Sequence, residues 1–85
     1  MNTNFLNNLE NQLLDMDYKI YNSMNNNYLY KRLTENLEEI VEVTPTFVRL
    51  QAKQGIKEHQ SFYPISDLVL KGLENLIEIE KEQVK

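Results

Sequence analysis

No apolar run in this chain of 85 residues is longer than three, and Leu68-Val69-Leu70 is one of those three-residue runs. A core must therefore be assembled from apolar side chains recurring at the period of a helix or a strand. A membrane-spanning helix, which needs about 20 consecutive apolar residues, is ruled out by the same fact. The length fits one domain with one appended helix, and a domain this small gains stability by oligomerising when it lacks other staples. There is no Cys, hence no disulfide framework and no thiolate metal site. The opening Met1-Asn2-Thr3-Asn4 has no basic segment and no apolar stretch after it, so the reading expects no signal peptide and a soluble, cytoplasmic protein. Eleven Asn residues, most of them in the first third, are read as the mark of an AT-rich genome.

The net charge of −4 is unevenly spread. Residues 1–42 set Lys19, Lys31 and Arg32 against seven acids, and residues 64–85 set Lys71, Lys81 and Lys85 against five. Between them, residues 43–63 carry Arg49, Lys53 and Lys57 against Glu58 alone. Only this middle block is basic, and a local excess of cations is what a polyanion would meet.

Leu6, Leu9, Leu13, Met16 and Ile20 are spaced 3-4-3-4, with Met24 following. This is the seam of a helix that Thr3 can cap, and the seam predicts packing on the last helix or on a second copy of itself. A turn or weak joint is expected at Asn22–Asn27, where Asn and Ser compete for backbone hydrogen bonds, the alternative being one unbroken helix from Thr3 to Val43. From Tyr28 to Val43 a second helix is predicted, with Leu29, Leu33, Leu37, Ile40 and Val41 inward and Glu35, Glu38, Glu39 and Glu42 forming a solvated row. Thr44-Pro45 reads as a helix cap and first turn, and Gly55-Ile56 as the stop of a short helix between them. The rival reading is a strand from Phe47 with a hairpin at Gln54-Gly55. Ser66 caps a last helix whose buried face is Val69, Leu70, Leu73, Leu76 and Ile77, with Ile65 and Leu70 as a staple across the cap. Gly72 inside it implies a close neighbour, because Gly there costs about 1 kcal/mol against Ala.

Catalytic chemistry is poorly provided for. One His, no Cys and two Gly leave no phosphate loop, and a nucleophile–base pair would have to be built from a Ser or Thr and His59. The expectation is a non-enzymatic protein that needs no metal or cofactor.

The stretch Leu37–Leu73 resembles the winged helix-turn-helix of MerR-like and excisionase-like proteins. Val43-Thr44-Pro45-Thr46-Phe47-Val48-Arg49 is similar to that family's turn, Lys53-Gln54-Gly55-Ile56 to the end of its recognition helix, and Phe62-Tyr63-Pro64-Ile65-Ser66-Asp67-Leu68 to its exit from the wing. Glu42 departs from the usual turn Gly, Glu38 from the usual small residue, and the wing lacks an Arg-rich character. The resemblance implies a mainly α fold: a winged helix-turn-helix over residues 28–85, with a short β wing, behind an N-terminal helix and Asn-rich joint at 1–27 that serves dimerisation. The alternative is an α+β chain with a β-hairpin at 47–63. The resemblance also implies DNA as partner. Thr46, Arg49, Leu50 and Lys53 would face the major groove, while Lys57 and His59 would contact the backbone. Few cations per subunit call for two half-sites and hence a homodimer through Leu6, Leu9, Leu13, Met16 and Ile20. The reading is therefore a small DNA-binding regulator or architectural factor of phage or mobile-element type. The competing class is an inhibitor, of the anti-defence or anti-CRISPR kind, that covers a nucleic-acid-binding host enzyme with acidic helical faces. A purely structural oligomerising module is the third.

Overall fold

A computed structural model describes residues 3–85 as one antiparallel sheet with a helix at each end of the chain. The order is α1 (Thr3–Asp15), β1 (Lys19–Met24), β2 (Asn27–Thr34), β3 (Leu37–Val43), β4 (Phe47–Gln54), β5 (Lys57–Pro64) and α2 (Asp67–Glu82). The five strands follow one another across the sheet in sequence order. The fold is thus α+β. The mainly α winged helix-turn-helix is corrected, and the hairpin alternative for 47–63 is the arrangement observed.

Alternation explains the strands. Tyr30 pairs with Val41, which pairs with Leu50, and Tyr28 with Val43 and Val48. Those partners lie on one face, where they form the core with Phe5, Leu9 and Leu13 of α1 and Val69, Leu73 and Ile77 of α2. Both helices therefore cover the same side of the sheet. The residues between them, Lys31, Ile40, Gln51 and Gln60, form a row on the other side, which no element covers. The helix expected over Tyr28–Val43 is corrected: its apolar residues fit a period of 3.6, but the segment forms β2 and β3, where a period of 2 operates. Leu, Glu, Lys and Arg are strong helix formers, and packing against α1 and α2 overrides that preference.

The turns show why the local signals pointed elsewhere. Asn25 and Asn26 take φ of 55° and 65° and join β1 to β2 in two residues, so the Asn-rich joint is a hairpin tip. Asn tolerates this left-handed backbone better than other residues with a side chain. At Thr44, Oγ1 accepts hydrogen bonds from the N–H groups of Thr46 (3.2 Å) and Phe47 (3.0 Å). A helix N-cap makes the same bonds. Here they close a hairpin, with Thr44 N–H donating to the Phe47 carbonyl at 2.9 Å. Gly55, at φ 62°, occupies the tip of the β4–β5 hairpin rather than a helix end.

The termini follow the sequence more closely. Ser66 occupies the N-cap position of α2, although its hydroxyl makes no capping bond. Val69, Leu73 and Ile77 are buried, with Leu70 and Leu76 packed at the margin. The N-terminal seam ends early. Helix α1 stops at Asp15, and Ile20 and Met24 belong to β1. The side chain of Thr3, the expected cap, lies outside the described residues. Gly72 has no close neighbour, because a Cβ built there meets nothing within 4 Å. The packing expected of it is corrected. Gly72→Ala should raise stability by about 0.5–1 kcal/mol in urea unfolding, since only the backbone-entropy cost of Gly is removed.

Candidate interaction surfaces

The residues expected to meet DNA do not share a surface. Arg49 lies on the uncovered sheet face, where its Nε donates to Glu42 at 2.9 Å and its Nη1 donates to the side-chain oxygens of Gln51 and Gln60. Lys53 lies on the same face between its cross-strand neighbours Glu38 and Glu58. Leu50 points the opposite way and is 2 % exposed. His59 and Lys57 also belong to the helix side. His59 Nδ1–H donates to Glu80 at 2.7 Å, and the Lys57 ammonium donates to the Lys85 carbonyl at 3.3 Å. Thr46 sits in the β3–β4 turn. With Phe47–Gln54 a strand, the recognition helix that would have aligned these side chains does not form, and a period of 2 sends them to both faces.

The proposed dimer seam is likewise divided. Leu9 and Leu13 are wholly buried, and Leu6 and Met16 pack against the same core. This is the intramolecular alternative, with α1 beside α2 and the Gln12 amide donating to the Leu70 carbonyl at 3.0 Å. Ile20 alone of the five is exposed, on β1.

Two polar clusters sit in the covered layer, and neither was visible in the sequence. Glu39, expected on a solvated helix face, is 3 % exposed. Arg32 donates to its carboxylate through two nitrogens at 2.8 and 2.9 Å, and Tyr18 Oη–H donates to it at 2.9 Å. Arg32 also donates to the Met16 carbonyl at 2.7 Å and stacks on the Tyr18 ring, which fixes the α1–β1 connector to the sheet. Glu80 of α2 is the second buried carboxylate, accepting from His59 and from Ser61 Oγ at 2.7 Å. These groups satisfy one another: among the described residues no buried side-chain nitrogen or oxygen lacks a partner. Ser61 and His59 both donate to Glu80, so the trio tethers β5 to α2. No group of His, Asp or Glu among the described residues is arranged to hold a metal. Nor is any described helix long and apolar enough to cross a membrane.

Three surfaces remain open. The first is the uncovered sheet face, laced by Lys31–Glu38 and Arg49–Glu42 ion pairs and closed at one end by Phe47 against Phe62 in edge-to-face contact. The second is the solvent side of the helix layer. It carries Asp15, Asp17, Asp67, Glu74, Glu78 and Glu82 against Lys71, Lys81 and Lys85, with Lys81 paired to Glu78 and Lys85 to Glu82. The third is the β1 edge, where all six residues are exposed and Ile20, Tyr21 and Met24 lie open. Because β1 begins opposite Lys31, Arg32–Thr34 have no strand on that side. A shallow groove of about 580 Å³ lies there, between Lys19, Tyr21, Lys31 and Leu33. No family model, curated protein or solved structure matches the chain.

Two outcomes test the buried cluster. Glu39→Ala leaves the Arg32 guanidinium uncompensated and should cost roughly 3–5 kcal/mol in denaturant unfolding. Burial holds the phenols of Tyr18 and Tyr30 above their ordinary range, reinforced by Glu39 for Tyr18 and by the hydrogen bond to Glu10 for Tyr30. Above about pH 10 the unfolded chain therefore binds fewer protons than the folded one, and stability falls as pH rises further. An alkaline titration followed by tyrosinate absorbance should show these two phenols ionising together with loss of the fold.

Proposed function

We propose that this protein acts without catalysis, docking its acidic helix layer on a basic surface of another protein in the manner of an inhibitor that covers a nucleic-acid-binding site. The observation that carries the reading is the segregation of charge between the two sides of the sheet. Glu74, Glu78 and Glu82 follow one another four residues apart on α2, which aligns them along one exposed stripe; Lys81 and Lys85 pair with Glu78 and Glu82 at its end, Asp67 opens the same helix, and the acids stay in excess. Asp15 and Asp17 extend the acidic character past the end of α1. On the uncovered face, by contrast, Lys19, Lys31, Arg49 and Lys53 alternate with Glu38, Glu42 and Glu58.

Like charges gathered on one layer steer an oppositely charged partner and fix its orientation. The middle basic block gives no such field, because its cations are divided between faces and Arg49 is engaged by Glu42. A nucleic acid would meet an acidic helix layer on one side and compensated pairs on the other. A protein carrying a nucleic-acid-binding groove presents the cations that the helix layer lacks.

The test uses purified DNA-binding enzymes, each holding a fluorescent DNA duplex, with the intact chain as competitor. The expected result is release of DNA from at least one enzyme, weakened by salt and reduced about tenfold or more by Glu74→Lys with Glu78→Lys. Release that is indifferent to this charge reversal would remove the acidic layer from the mechanism. Direct binding of the duplex by the chain itself, lost in Arg49→Ala with Lys53→Ala, would favour a DNA-binding regulator instead.

A further inference from the structure

The two edges of the sheet are treated differently. A free edge offers unpaired N–H and C=O groups to any other strand, and soluble proteins blunt it with charge, proline, a bulge or a covering element. Edge β5 is blunted in these ways. It opens with Lys57, Glu58 and His59, closes with Pro64, and is tied to α2 through His59, Ser61 and Glu80. Edge β1, Lys-Ile-Tyr-Asn-Ser-Met, has one charge, no proline, a single irregularity between Ile20 and Asn22, and no covering element among the described residues. Ile20, Tyr21 and Met24 on it are 54 %, 63 % and 61 % exposed.

We propose that β1 pairs with β1 of a second copy of this chain, antiparallel about a two-fold axis, so that two five-stranded sheets join into one. The charges on the strand select this arrangement. A two-fold between Tyr21 and Asn22 sets Lys19 opposite Met24 of the other copy, whereas an in-register parallel pairing would set Lys19 against Lys19. The irregularity in the β1–β2 ladder between Ile20 and Asn22 falls at the axis and leaves regular strand on both sides of it. Since α1 and α2 cover one face, the joined sheet carries all four helices, and both acidic layers, on a single side. This dimer does not depend on the function proposed above and does not use the α1 seam, which is consumed by the core.

Sedimentation of the intact chain over a range of concentrations tests the proposal, with circular dichroism confirming that each variant is folded. Wild type should sediment as a dimer. Met24→Lys places like charges opposite each other twice per dimer and should weaken association about tenfold. Met24→Glu, which faces Lys19 with an acid, should keep or strengthen it. Lys19→Glu combined with Met24→Lys should restore it. A wild-type chain that stays monomeric at every concentration overturns the proposal. So does a dimer that responds alike to Met24→Lys and Met24→Glu, since its contact would then lie elsewhere.

Discussion

Tyr30, Val41 and Leu50 stand side by side across the middle of the sheet, and two helices press on the row they form. Burial of that row pins the register of β2, β3 and β4, because a slip of one residue would turn every inward side chain out to water. Once the register is set, the remaining features follow. Arg32 and Glu39 must face the helices, Arg49 and Glu42 must face away, and the last strand on each side must be an edge. The helices lie together on one face because each has a single apolar stripe, and that face presents the continuous patch of Tyr30, Val41, Val43, Val48 and Leu50 that receives both.

Polar groups within the covered layer are consequences of the same register. Position 39 falls on the inward face between Leu37 and Val41, so a carboxylate is drawn into a place where it must be paired. Arg32 and Tyr18 do this, and in doing so hold the connector that brings α1 back over the sheet. Glu80 plays the equivalent part for α2, tethered to β5 by His59 and Ser61. A buried ion pair adds little net stability over an apolar pair of the same shape, but each of its members is costly to leave alone. The two clusters therefore act as locks on where each helix sits, and the apolar core supplies the driving force.

The exterior is what the folded layers leave over. On the strands Lys31, Arg32 and Arg49 are held by Glu38, Glu39 and Glu42 across the ladder, while at the end of α2 Lys81 and Lys85 pair with Glu78 and Glu82 and the acids still outnumber the bases. An acidic layer on one side, a compensated ladder on the other and one unguarded edge are three different surfaces on a small protein. They support the functional reading and the dimer separately, since the helix stripe does not share a residue with β1.

The last helix was legible in the sequence because all its signals are local. Ser66 marks its start, and Val69, Leu73 and Ile77 repeat at a spacing that a strand cannot use. The first helix was legible only as far as Asp15, since Ile20 and Met24 continue its spacing by coincidence. Composition also settled that no segment carries a long apolar run and that residues 43–63 alone carry more cations than acids. What the tertiary structure alone decided was the state of residues 19–64. There Leu, Glu, Lys and Arg favour a helix over short windows, Thr44 makes the bonds of a helix cap while closing a hairpin, and Gly55 satisfies either a helix end or a strand turn. Such ambiguous segments become strands because pairing with neighbours distant in sequence, beneath two apolar stripes, buries more than an isolated helix could. That energy belongs to the assembled layers, and no window of the sequence contains it.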